Sequence, residues 1–289
     1  MIWLKEELLQ NIPEIYLDAV NTWNDQVAKI IKIFTQTPAK WSPEAYQEAL
    51  KIAGILLPIA VALLSLIFVI GMFRNSSNML EHRSPSTVAK AFLRFVLAMA
   101  GVEYVVGAAS ELRGYSLLQT IDNIVYGIVN LIYKGESTVG QIDVTNANET
   151  VQNLINGSGW GDAFSGILLT VIFQLACLAM TIVLWLHVFN RFFTIYLMVG
   201  IAPLPMAFFG SESTQRVGIG FLKTYTIKLA EVIVMIIALA IYSGFQASMD
   251  SVVGVSTSYN MYLVRQLLVM TMLVVAIRGS DSLLKEIAG

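Results

Sequence analysis

The chain has 289 residues, 56% of them hydrophobic and only 13% charged, with a formal net charge of −2. That composition excludes an ordinary soluble domain and a basic surface that gathers nucleic acid, and it describes a polytopic membrane protein. A lone cysteine, Cys177, excludes both a disulfide framework and a zinc cluster.

The first fifty residues are too polar to span a membrane. Leu8, Ile12, Ile15, Ala19, Trp23, Val27, Ile30 and Phe34 recur at steps of three and four, which puts one apolar stripe on a helix. Pro13 is tolerated only near a helix start, so the spacing predicts a break there and a helix from about Ile12 to Phe34. Lys5, Glu6, Glu7, Glu14, Asp18, Asp25, Lys29 and Lys32 carry its polar side. Such a stripe is a plain packing face or the apolar side of an interfacial or subunit-contacting helix. Thr37-Pro38 and Ser42-Pro43 punctuate the chain, and Ser42 is suited to cap a helix with Pro43 at its first position. The first long apolar run begins near Ile52, too far in for a signal peptide.

A helix needs roughly 20 residues to cross a bilayer core. Four runs reach or approach that length: Ile52–Phe73, Ala91–Ser110, Ala163–Phe189 and Ile227–Ser248. A fifth, Tyr262–Ile277, is short. The sixth, Phe192–Phe209, contains Pro203 and Pro205. Each proline lacks an N–H, clashes with the carbonyl four residues back and biases the residue before it away from the helix. Non-helical backbone at membrane depth must be buried in protein or line an aqueous cavity. This stretch is therefore a kinked ordinary helix or a broken, re-entrant element.

Positive charge sets the direction. Arg74, Arg83, Lys90 and Arg94 follow the first span, so that loop is expected in the cytoplasm. The N-terminal region and the loop after the second span then lie outside. If Phe192–Phe209 dips in and returns, Arg216, Lys223 and Lys228 stay inside with Arg278 and Lys285. The expectation is an all-α integral membrane protein. It has about five transmembrane helices, one proline-broken or re-entrant segment and an N-terminal amphipathic helix. Residues 1–51 form an extracytoplasmic region, and 52–110 the first two spans with a cytoplasmic loop at 74–90. Residues 111–162 form an extracytoplasmic loop, and 163–278 the membrane core with its broken segment at 192–209. Residues 279–289 are a cytoplasmic tail. Six crossings with the C-terminus outside are the alternative.

Glu103 lies inside the second predicted span and needs a partner, a cavity or a proton. Arg265 enters the last span from the same side, and the two are expected to pair; a protonated or solvated Glu103 is the alternative. Lys228 and Glu231, three apart, suit a pair on one helix face. Gln174 and Gln246 suit interhelical hydrogen bonds. Trp160, Trp185 and His187 sit near predicted span ends, where aromatics anchor to the interface. His82 and His187 have no Cys or carboxylate at ligand spacing, and no triad, paired carboxylates or phosphate loop emerges. The reading is a non-enzyme without cofactor or metal. From physics alone its rival is a secondary transporter or small-solute permease built around a broken helix, although no second broken span or internal repeat accompanies it.

The run Gly200-Ile-Ala-Pro-Leu-Pro-Met-Ala-Phe-Phe, the polar insert 210–218, and Gly220-Phe-Leu-Lys-Thr-Tyr at the head of an apolar span resemble the TrbL-like conjugal transfer proteins of Gram-positive mobile elements. Those are the polytopic membrane channel subunits of type IV secretion systems. The resemblance is sharpest over Trp185–Val234 and elsewhere rests on layout. It implies a homo-oligomeric ring in the bacterial cytoplasmic membrane, among cytoplasmic ATPases, a scaffold protein and a pilin-like partner. The cargo would be single-stranded DNA with its relaxase, or protein. In that role Pro203, Leu204, Pro205, Met206, Phe208 and Phe209 are pore or gating candidates. Arg191, Arg216, Lys223 and Lys228 are cytoplasmic basic contacts for phosphates or an ATPase, or simply mark positive-inside topology.

Overall fold

The computed structural model describes the chain except for residues 1, 77–84, 106, 108–115, 134–139, 156–159, 253–257 and 289. Among the described residues every regular element is helical. In chain order they are α1 (Ile2–Phe34), α2 (Pro38–Trp41), α3 (Pro43–Ser76), α4 (Pro85–Tyr104), α5 (Leu117–Tyr133), α6 (Val144–Ile155), α7 (Trp160–Ile201) and α8 (Pro203–Ala207). A 3-10 turn at Phe208–Gly210 follows, then α9 (Gln215–Val252) and α10 (Tyr259–Ala288). Among the described residues, four helices are long and apolar enough to cross a membrane, within Pro43–Phe73, Phe164–Ile201, Gln215–Gln246 and Tyr259–Ile287. The chain is an all-α, multi-pass membrane protein. The expected second span falls on α4, whose 20 residues include Lys90, Arg94 and Glu103.

The axis of the fold is α7. Its 42 residues extend about 63 Å, and α1, α10, α3 and α9 all pack on it. Helix α1 runs parallel to it. Tyr16 meets Phe173 with ring centroids 5.3 Å apart, Trp185 Nε1 donates to Gln26 Oε1 at 3.0 Å, and Tyr196 Oη donates to the Pro38 carbonyl at 2.9 Å. Helix α10 is parallel as well, with Tyr259 Oη 2.7 Å from Thr170 Oγ1 and Cys177 Sγ 3.9 Å from Met270 Sδ. Helix α9 returns antiparallel to both. It starts beside the 3-10 turn, passes Arg191 at Lys228 and Leu229, and meets α10 where Gln246 Nε2 lies 3.4 Å from Gln266 Oε1. Helix α3 begins where α7 ends: a Cβ at Gly200 would touch Ile52 at 3.6 Å. From there α3 continues along α8, the 3-10 turn and α4.

Three features differ from the sequence reading. Helix α1 does not break at Pro13 but runs through it from Ile2; a proline there removes one backbone bond. The apolar stripe of α1 is a plain packing face, as its spacing allowed. Tyr16, Ala19, Val20, Trp23, Val27, Ile30 and Phe34 are buried, and the stripe is the face that seals α7. Second, the span expected to end at Phe189 and the run expected to begin at Phe192 are one helix. The residues between, Asn190-Arg191, need not reach water because the arginine is satisfied internally, as described below. Third, the stretch 111–162, expected as a loop, contains α5 and α6, which pack on α9 and α1.

The connection between them is clamped to α1. Asn24 Nδ2 donates to the Ile142 carbonyl and Asn24 Oδ1 accepts from the Ile142 N–H, both at 2.8 Å. Gly140 precedes this clamp at φ +75°, and a Cβ there would lie 2.6 Å from Leu239 Cδ2. Both the backbone sign and the closeness of α9 require glycine.

Candidate functional site

The proline stretch forms a short turn, not an open cavity. Ala202 keeps helical dihedrals, φ −51° and ψ −37°, although a proline follows. Pro203 sits at the first position of α8, where the missing N–H leaves nothing unsatisfied. The break shows instead in long backbone bonds: Ala202 N to the Val199 carbonyl and Met206 N to the Ala202 carbonyl, each 3.4 Å. Pro203, Met206, Ala207 and Gly210 are buried, while Leu204, Pro205, Phe208 and Phe209 are half-buried. Their neighbours are α3, α4 and α9. A Cβ at Gly210 would lie 2.6 Å from Leu64 Cδ1, and one at Gly218 only 2.2 Å from Phe209 Cε2. Thr214 Oγ1 closes the turn by donating to the Phe208 carbonyl at 2.8 Å. The six pore candidates thus lie together, packed largely against their own chain.

A layer of buried charge crosses α5, α7, α9 and α10 just before this turn. Arg191, 1% exposed, is its centre. Nε donates to the Lys228 carbonyl, and Nη2 to the Leu229 carbonyl and to Tyr126 Oη, each at 3.1 Å. The guanidinium also lies 5.1 Å from the Phe192 ring centroid. These contacts replace water, which is why the arginine does not mark the end of the span. Nη1 has no protein partner.

Asp122 of α5 is as deeply buried as Arg191. Tyr225 Oη donates to its Oδ1 at 2.8 Å, and its Oδ2 has no protein partner. Burial pushes its carboxyl up to about 7, against the opposing pull of the Tyr225 hydrogen bond and the Arg191 charge.

On the other side of Arg191, Glu231 is also wholly buried. His187 Nε2 approaches Glu231 Oε1 to 3.1 Å without the alignment of a hydrogen bond, and Ser280 Oγ donates to the same oxygen at 3.3 Å. Lys228 Nζ lies 3.5 Å from Glu231 Oε2 and 2.9 Å from Asp281 Oδ1, while Lys285 Nζ reaches Asp281 Oδ2 at 2.7 Å. The pairing expected within α9 is present but is the loosest of these contacts.

The layer holds two of the four predicted basic contacts, Arg191 and Lys228, inside the bundle; Arg216 and Lys223 are exposed on the first turns of α9. Glu103 is exposed on α4, which packs on α3, α8 and the 3-10 turn. Arg265 lies on α10 with its guanidinium 5.2 Å from the Tyr262 ring centroid. The structure does not bring Glu103 and Arg265 together, because α4 and α10 pack on different neighbours. Gln246 does bond across helices, to Gln266, and Gln174 Nε2 donates to Asp18 at 3.2 Å. His187 and Trp185 are inside the packing of α7 and do not stand at the end of a span.

Sequence reasoning missed Asp122, Tyr126, Ser280 and Asp281. The usable signal was a carboxylate and a phenol four apart on the apolar helix α5.

Comparison with known proteins completes the picture. Residues 23–203 match the model of the TrbL/VirB6 plasmid conjugal transfer like proteins. No curated protein and no solved structure matches. The matched region runs from the middle of α1 to the first proline of the turn, so the Gly220-Phe-Leu-Lys run lies beyond it. It covers α1 to α7 and well over half of the chain, and it agrees with an all-helical, multi-pass architecture: the chain belongs to the TrbL/VirB6 family of plasmid conjugal transfer-like proteins, a component of conjugal transfer machinery.

Proposed function

We propose that this chain is the channel subunit of a type IV secretion machine in a bacterial cytoplasmic membrane, with the N-terminus outside and the C-terminus inside. Several copies form a ring, and the ring is a conduit for single-stranded DNA with its relaxase, or for protein cargo. The subunit supplies passage and no chemistry; ATPases, scaffold and pilin-like subunits supply drive and continuity.

The observation that carries this reading is how little of each candidate span its own chain covers. Between 17% and 39% of the four apolar windows is buried inside the chain. The remainder is surface for lipid and for neighbouring copies, and the interior of one copy is filled with side chains. A polymer therefore passes between copies. The test is the detergent-corrected mass of the purified protein, alone and with co-expressed machine subunits. A discrete multi-copy species is expected in at least one preparation; a monomer in both overturns the ring.

The transporter reading draws on one observation, the ionisable groups His187, Lys228 and Glu231 inside α7 and α9. It predicts a monomeric or dimeric protein that moves a small solute in vesicles.

A further inference from the structure

Helix α1 has a second face. Glu14, Asp18, Asn21, Asp25, Lys29 and Lys32 are all exposed, spaced by three and four, opposite the stripe that seals α7. They form one continuous polar strip along the helix.

Contacts already described set that strip alongside the apolar run of α7. Asp18 is tied to Gln174 and Gln26 to Trp185, with Tyr16 on Phe173 between α1 and α7. Those three α7 residues lie in the apolar run of a membrane-crossing helix. At the same level α7 turns Leu175, Leu178, Ile182 and Leu186 outward, each at least 44% exposed. The α7 surface thus presents leucine and isoleucine, and the α1 surface presents carboxylates and ammonium groups. Hydrocarbon accepts the first surface and rejects the second. The two surfaces face different media.

We propose that the exposed face of α1 lines a water-filled passage in the assembled complex, so that α1 is the wall of the conduit. The inference rests on the conduit reading above and deepens it. Three carboxylates against two ammonium groups make this wall weakly acidic. Such a surface repels a phosphate chain over the Debye length and does not hold it. The wall suits a path that cargo slides along, and unlike a basic groove it offers no site where nucleic acid is bound.

The test places single cysteines in a Cys177→Ala background. One set is Asp18→Cys, Asn21→Cys and Asp25→Cys on α1. The other is Leu175→Cys, Leu178→Cys and Ile182→Cys on α7. Intact donor cells holding the assembled machine are treated with a membrane-impermeant maleimide or with a lipid-soluble one, and plasmid transfer is counted. The expected result is at least tenfold more impermeant labelling on α1 than on α7, with the reverse for the lipid-soluble reagent. A bulky adduct on α1 then lowers transfer at least tenfold, and one on α7 does not.

Protected α1 cysteines, or α7 cysteines labelled equally by the impermeant reagent, overturn the inference. So does undiminished transfer with α1 fully modified, which leaves the conduit reading standing. Unchanged transfer in cells lacking the chain overturns the conduit reading itself. Asn21→Cys removes no charge and guards against a variant that fails to assemble.

Discussion

Helix α7 is held in two different ways at its end. Around Arg191 the fastening is polar: three hydrogen bonds from one guanidinium reach α5 and α9. Further along, from Pro203 to Gly210, it is steric: Leu64 and Phe209 press on glycine backbone where no side chain would fit. Polar fastening is directional and leaves a buried group stranded if its partner goes. Steric fastening has no such group to strand, but it is intolerant of added volume. The two regions are therefore expected to respond to opposite kinds of substitution.

The largest effect is expected at Arg191. Arg191→Met keeps volume and removes the charge that acts on both Asp122 and Glu231. Above about pH 7, where Asp122 is ionised, two buried carboxylates then lose their counter-charge, and breaking a buried network in this way costs about 3–5 kcal/mol. Thermal unfolding in mild detergent should show it. Adding Asp122→Leu should recover part of the loss, because a missing partner is then matched by a missing charge. A double variant no better than the single one would show that Arg191 works through packing alone.

Gly218→Val comes next, at about 1–3 kcal/mol. Its Cβ would meet three ring atoms of Phe209 at 2.2, 2.5 and 2.9 Å. Phe209→Ala should rescue it by vacating that space, while Phe209→Ala alone loses buried ring surface. If Gly218→Val leaves the melting point unchanged, the turn is loose and the contrast with the charge layer fails.

The comparison also explains what was legible in the sequence. Helix boundaries near Pro38, Pro43 and Pro203 were readable because proline acts on local backbone. The buried stripe of α1 was readable because periodicity records a face. What that face covers was not, since period says nothing about the partner, which is α7. Arg191 was read as a topology marker for a related reason. Charge marks a membrane boundary only when water is its sole partner, and Tyr126 together with the carbonyls of Lys228 and Leu229 replaces water here. Those partners lie 37 to 65 residues away in sequence. The Glu103–Arg265 pairing went astray because equal depth in a membrane does not make two helices neighbours.

The last prediction, and the sharpest on mechanism, is pH dependence at Asp122. Helix α5 is not among the four candidate spans, and its buried carboxyl is raised from 3.8 to about 7. In the unfolded chain this group ionises near 3.8. Between the two values the folded protein holds a proton that the unfolded chain has released, so stability falls as pH rises across that window. Above about 7 both states are ionised and the slope vanishes. The melting point should thus decline from mildly acid to neutral pH, and the decline should be smaller in Asp122→Asn than in the parent. Tyr225 and Arg191 face the carboxyl from α9 and α7 in parent and variant alike. The difference between variant and parent therefore isolates Asp122 from every other carboxylate in the chain. Parallel curves would mean that Asp122 stays ionised when folded, with Arg191 close enough to offset its burial. The polar fastening would then be an ion pair between α5 and α7, and Arg191→Met would become correspondingly more severe.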